Sequence, residues 1–291
     1  MSVIARTHHS DGGVAISDGE PPPDRTNILG VGVSAVDMSM AVRKIRRWIA
    51  AGARTYVCVT GVHGIMESQR NPRLRDVHNA AGMVTPDGMP LVYISRAWGQ
   101  RTTARVYGPD LMAAICADSV TAGYTHFLYG ATDATLTRLA ERLRRRFPGI
   151  RIVGCHAPPF RPLTTEERGA VIAAINHCHP DVVWVGLSTP KQESWMAEMR
   201  ADLDAPVLIG VGAAFDFHAG TVKQAPRWMQ PLCLEWFYRL LVEPRRLWKR
   251  YLVNNPAFLA ALFMQAAGLK HYRLEGPQPA AAMATPKGDT R

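Results

Sequence analysis

"DVVWVGLSTPKQESW" spans residues 181–195 and changes character halfway along. Val182, Val183, Trp184 and Val185 form a continuous apolar, β-rich run, the pattern of a strand buried on both faces. Gly186-Leu187-Ser188 ends the run, and Thr189-Pro190 opens a helical segment. Thr189 is suited to cap that helix and Pro190 to sit in its first turn. Elsewhere the chain repeats this unit. "RTYVCVT" (54–60), "THFLYG" (125–130), "IRIVG" (150–154) and "APVLIGVG" (205–212) read as further buried strands. "TDATLTRLAERLRRRF" (132–147) and "TEERGAVIAAINHC" (165–178) have helical periodicity. The expected fold class is α/β: a mostly parallel, Rossmann-like sheet with helices on both faces. Ligands of such sheets bind beyond the carboxyl ends of the strands, so the loops after the strands hold the functional candidates.

Strand candidates cease near residue 226. "RWMQPLCLEWFYRLLVEPRRLWKRYLVNNPAFLAALFMQAAGLKHYR" reads as two or three helices broken at Pro244 and Pro256. Residues 223–273 hold nine Lys/Arg against Glu235 and Glu243. The expected organisation is a disordered tail over 1–26, an α/β catalytic domain over 27–225, a basic C-terminal helical appendage over 226–273, and a second tail over 274–291. Both tails are rich in small and polar residues.

The chain of 291 residues is 47% hydrophobic, enough for a large core, and carries a formal charge of +10, which favours an acidic partner. The N-terminus has no apolar leader run, so no secretory signal is expected. The longest apolar stretch, "AFLAALFMQAAGL" (257–269), is too short to span a bilayer and contains Gln265. The five cysteines have no CxxC spacing and suit a reducing compartment. The histidines lack metal-ligand spacing, and no GxSxG, Walker or kinase motif is present.

Four loops stand out. In "VTPDGMPLV" (84–92) Asp87 is either a turn residue and helix cap or a carboxylate held at a strand end for chemistry. In "ARVYGPDLM" (104–112) Arg105 is a candidate anion contact and Asp110 a helix cap. Lys191 and Gln192 lie in the first turn after Pro190, beside N–H groups that attract phosphate or sugar hydroxyls. Gly212 and Asp216 follow the 205–212 strand, where glycine allows close approach of a ligand. Each has a plain structural alternative in turn or cap chemistry.

Taken together, "TPDGMPLV", "RVYGPDLM", "PDVVWVGLSTPKQESWM" and "IGVGAAFDFHAGTVKQAPRWMQPLCLEWFYRLLVEPRRLWKRY" follow in the order seen in the WecG/TagA/CpsF glycosyltransferases. The resemblance runs from about Ile28 to Leu252. It implies an inverting, metal-independent enzyme without a cofactor, which moves a sugar from a UDP-sugar donor to a polyprenyl-diphosphate-linked sugar in bacterial surface or exopolysaccharide assembly. It implies a cytoplasmic protein held peripherally at the inner face of the membrane. By the same resemblance Asp87 is the base, Arg105 and Gln192 bind substrate, and Arg239, Arg245, Arg246 and Arg250 close over the donor diphosphate and meet the anionic lipid surface. The family's Thr-x-Asn element is altered: Thr60 matches, but Val62 stands at the Asn position and His63 follows. The donor therefore stays open between a hexose and an N-acetylhexosamine. Homo-oligomerisation is also left open.

Two readings from other classes compete. One is a basic nucleic-acid-binding protein, motivated by charge and aromatic–arginine helices but without a nucleic-acid motif. The other is an inactive scaffold of a polysaccharide-assembly complex.

Overall fold

The structure, a computed structural model, describes residues 22–229 and 231–274, without the side chains of Arg227, Arg246 and Arg250. The tails expected to be disordered therefore lie largely outside the described residues.

The chain opens with an antiparallel hairpin, β1 (Arg25–Ile28) and β2 (Val31–Ser34). Helix α1 (Met38–Ala51) leads to β3 (Thr55–Thr60), α2 (Val62–Arg70), α3 (Pro72–Ala80) and β4 (Met83–Pro86). Then follow α4 (Met89–Ala97), α5 (Gly108–Ala122), β5 (Thr125–Gly130), α6 (Asp133–Arg146) and β6 (Arg151–His156). The domain closes with α7 (Thr165–His177), β7 (Val182–Gly186), α8 (Lys191–Met199), β8 (Val207–Gly210) and α9 (Ala214–Ala219), and the appendage is α10 (Glu235–Val242) and α11 (Pro244–Ala266). Six strands form one sheet in the order β4-β3-β8-β7-β5-β6, every pair parallel. The expected α/β class is what the chain adopts.

Period-2 alternation splits the strands between two cores. Val57, Leu128, Trp184 and Ile209 face one side, against α1, α5, α6 and α9. Cys58, Phe127, Val185 and Leu208 face the other, against residues of the hairpin, α2, α7, α8 and α11. Both faces are covered, which is why these strands read as unbroken apolar runs.

Three elements depart from the sequence reading. The hairpin begins at Arg25, inside the stretch expected to be a tail. Pro190 is the N-cap residue of α8 rather than part of its first turn, and the Thr189 hydroxyl donates to the Glu193 carboxylate at 2.8 Å instead of capping the backbone. Pro256 does not break α11, which runs through it. A proline inside a helix costs about 3 kcal/mol. Here Leu247 and Asn254 before it and Phe258 after it are all buried, so packing on both sides offsets that cost.

The appendage is tied to the rest of the chain by specific polar contacts. The Gln265 side chain accepts from the Leu29 N–H at 2.9 Å and donates to the Asn27 carbonyl at 2.9 Å. The residue that interrupts the apolar run of α11 is thus a clasp on the hairpin. Asn254 accepts from Arg70 at 2.6 Å and donates to Nδ1 of His63 at 3.2 Å, fixing α11 against α2. On the opposite face, Trp248, Leu252, Leu259 and Phe263 are exposed at helical spacing. No described helix is long and apolar enough to cross a membrane.

Candidate active site

A cavity of about 850 Å³ opens at the carboxyl ends of β4, β3, β8 and β7. The loops after those four strands line it, and α10 and α11 wall its outer side.

Asp87 follows β4 directly. Its N–H donates to the Thr60 carbonyl at 3.0 Å, continuing the sheet ladder by one residue. Its Oδ1 accepts from the N–H of Gly108 at 3.0 Å. Asp87 is therefore a helix cap, but of α5 and not of the adjacent α4, whose N-cap is Gly88 without a side-chain bond. Asp110, expected to cap that helix, instead lies inside its first turn. Asp87 is half-buried and its carboxyl is surrounded by protein except toward the cavity. Burial raises its pKa above the ordinary value; Arg105 opposes the rise and Glu235 adds to it.

Arg105 gathers the site. Its Nε donates to the Asp87 carbonyl oxygen at 2.6 Å, and Nη2 contacts Glu235 Oε2 of α10 at 2.5 Å. The guanidinium stacks 4.0 Å from the Tyr107 ring centre. Arg239 of α10 and Lys249 of α11 also line the cavity, so three cations surround it.

On the other side Gln192 is buried, with Nε2 donating to Glu193 at 3.1 Å and Oε1 unpaired beside the cavity. Gly212 has φ +50, and a Cβ there would sit 3.4 Å from that Oε1. The glycine lets the backbone take this left-handed turn at the cavity floor. Ser188 holds φ +65 at the cavity wall, a conformation costing about 1–2 kcal/mol for a residue with a side chain. Such strain concentrates at functional sites.

The cavity gathers Asp87, His63, Arg105, Gln192, Gly212, Asp216 and Arg239 of the expected residues. It does not gather Thr60, Lys191 or Arg245. Thr60 is 1% exposed and points into the core, 3.0 Å from Nε2 of His78. Nδ1 of His78 lies 2.9 Å from the Leu74 carbonyl, so the ring proton sits there and Nε2 accepts from the Thr60 hydroxyl. Gly64 makes room for this pair: a Cβ there would meet the Thr60 methyl at 2.8 Å. Lys191 and Arg245 are exposed and outside the cavity lining. The side chains of Arg246 and Arg250 lie outside the described residues.

Tyr107, Glu235, Lys249 and Asn254 were not singled out from the sequence. Tyr107 stands two residues after Arg105 in the quoted loop, and Asn254-Asn255 is an amide pair inside an apolar run. Both were visible signals. Glu235 and Lys249 had none, because only packing of the appendage brings them to the sheet.

Residues 26–272 match the family described as "Glycosyl transferase WecG/TagA/CpsF family". Two similar proteins are both named N-acetylglucosaminyldiphosphoundecaprenol N-acetyl-beta-D-mannosaminyltransferase. One, from Bacillus spizizenii, is 32% identical over 208 residues, covering 71% of this chain and 78% of the relative. The other, from Bacillus subtilis, is 34% identical over 177 residues, covering 61% and 67%.

Proposed function

The chain belongs to the WecG/TagA/CpsF glycosyltransferase family, and from that premise we propose that it transfers a sugar from a UDP-sugar to a polyprenyl-diphosphate-linked saccharide, with inversion and without a metal. The observation that carries this is the enclosure of Asp87 at the end of β4, facing a cavity that also holds three cations. The names of the two relatives support the acceptor class.

In the proposed step the Asp87 carboxylate takes the proton of the acceptor hydroxyl. That oxygen forms the new bond to the anomeric carbon as the bond to the UDP oxygen breaks. A raised pKa suits a base, because the carboxylate then holds the proton more strongly. Negative charge grows on the departing diphosphate, and Arg105, Arg239 and Lys249 are placed to compensate it. Arginine serves well because its planar fork pairs two phosphate oxygens. Before substrate arrives Glu235 occupies Arg105, and it leaves when the diphosphate takes its place. Gln192, with an unpaired Oε1, accepts from a sugar hydroxyl.

The exposed stripe of Trp248, Leu252, Leu259 and Phe263, with exposed Arg245 and Lys249 at its start, suits an anionic membrane surface where the lipid-linked acceptor resides. An inactive scaffold would need none of this arrangement around Asp87.

The test is a transfer assay that offers UDP-glucose, UDP-N-acetylmannosamine and UDP-N-acetylmannosaminuronate to a short-chain prenyl-diphospho-N-acetylglucosamine. The reaction is run with and without EDTA, and the anomeric product is read by NMR. Transfer from one donor, unaffected by EDTA and with inverted configuration, is expected. No transfer from any donor, or dependence on Mg²⁺, would overturn the reading.

A further inference from the structure

A second, smaller cavity of about 440 Å³ lies behind the catalytic one. Pro109 and Phe217 line both, so the two cavities share a wall. Arg142, Arg145 and Arg146 of α6 line the second cavity, with His218 of α9 and Asp110 of α5.

The three arginines fall at i, i+3 and i+4 and so share one face of the last two turns of α6. Like charges at that spacing destabilise a helix by a few tenths of a kcal/mol per pair. A helix C-terminus attracts cations, which accounts for basic residues there. It does not account for their convergence on a concave wall floored by Phe217, Leu143 and Ala113. Among the described residues none of the three has a carboxylate partner within salt-bridge distance. Three other surface arginines do have such partners: Arg46 with Asp118, Arg161 with Glu167, and Arg168 with Asp202.

The facing turn packs against the Arg142 guanidinium. Gly220 ends α9 at φ +72, and any Cβ there would collide with the guanidinium of Arg142. His218 donates from Nε2 to the Pro109 carbonyl at 2.9 Å, which ties α9 to the start of α5 and fixes the shared wall. Among the described lining residues Asp110 is the one carboxylate, against three arginines.

We propose that this cavity is an anion site for a phosphate or diphosphate group, distinct from the catalytic cavity. Planar guanidinium forks pair two phosphate oxygens at once and stay charged. The group comes from the lipid-linked acceptor, from a nucleotide, or from free pyrophosphate.

Inorganic pyrophosphate is titrated calorimetrically into the full chain at roughly physiological salt, where general attraction is screened. Wild type, R142A/R146A, R142K/R146K and R239A are compared. A binding event is expected that weakens about tenfold or more in R142A/R146A, the loss of roughly one charge-assisted contact. It weakens less in the lysine pair, and it survives in R239A. The proposal is overturned if R142A/R146A, folded by circular dichroism, titrates like wild type, or if R239A alone removes all binding. Steady-state kinetics then separate the sources: a raised KM for the acceptor alone assigns the lipid diphosphate, a raised KM for the donor assigns the nucleotide, and unchanged KM values assign free pyrophosphate. The binding readout does not depend on transfer, so it fails separately from the proposed reaction.

Discussion

The backbone N–H of Gly108 donates to Oδ1 of Asp87 at 3.0 Å, so one carboxylate both caps α5 and faces the cavity. The two roles separate by substitution. Asp87→Asn keeps an oxygen for Gly108 and removes the base. Transfer should fall by roughly 100- to 10,000-fold, with the melting temperature at neutral pH equal to or above that of wild type. Asp87→Ala loses the cap as well and should cost about 1 kcal/mol of stability. Initial rates and thermal melts of the two variants check this.

Burial places the Asp87 pKa above 3.8, opposed by Arg105 and assisted by Glu235. The acid limb of kcat/KM, which reports the free enzyme, should therefore lie above that of an ordinary aspartate. Glu235→Gln removes the assisting charge, so the limb should move to lower pH. A limb that stays put or rises would remove Asp87 from the titration. Stability follows the same sign. The native state binds the proton more tightly than the unfolded chain, so this contribution is full below about pH 3.8 and lost as pH rises through the raised folded value.

Gly212→Ala places a side chain at φ +50 and beside Oε1 of Gln192. It should destabilise the fold by about 1–2 kcal/mol and raise the donor KM more than it lowers kcat. Denaturant melts and saturation kinetics decide whether the cavity floor binds substrate.

Gln265→Ala leaves the N–H of Leu29 without its acceptor. An unsatisfied buried donor costs about 1–3 kcal/mol, so the variant should melt earlier. Hydrogen exchange should speed up in β1 and β2 before it does in the main sheet. Uniform exchange across the protein would mean that the clasp does not hold the hairpin.

His126 is buried against Trp184, whose Nε1–H donates to its Nδ1 at 3.1 Å. Burial lowers its pKa to about 4, with Asp181 opposing. The unfolded chain thus binds the proton first, and stability is present above about pH 6.5 and lost as pH falls toward 4. A loss of up to about 3 kcal/mol is expected from this residue. His78 and His218 shift the same way. Urea melts at pH 7.5 and pH 5 should show the drop, and His126→Asn should flatten part of it.

The central strands were legible because burial on both faces writes itself as an unbroken apolar run, as in Val182 to Val185. β1, β2 and β4 were less so: β1 and β2 form a separate short hairpin beside a polar tail, and β4 is a short strand at the edge of the sheet. Asp87 could be picked out because strand ends are where such sheets bind ligands, and Arg105 because it precedes the Gly-Pro-Asp turn that opens α5. Thr60 could not be assigned to the core, because it is the His78 ring, held by Leu74, that turns its hydroxyl inward. The Pro256 break was a local rule overridden by packing of Asn254 and Phe258. Glu235 and Lys249 depend on how α10 and α11 lie over the sheet, which no local pattern encodes.

The strand order has a consequence for synthesis on the ribosome. β8 lies between β3 and β7, yet among the described residues it is the last strand made. Until residue 210 has emerged, the nascent chain holds two fragments, β4-β3 and β7-β5-β6, each with an unpaired parallel edge. Such edges invite wrong partners. Asp87 belongs to the first fragment and Gln192 to the second, so β8 joins the sheet and brings the two sides of the cavity together in one event. A chain stalled before that point has no assembled cavity.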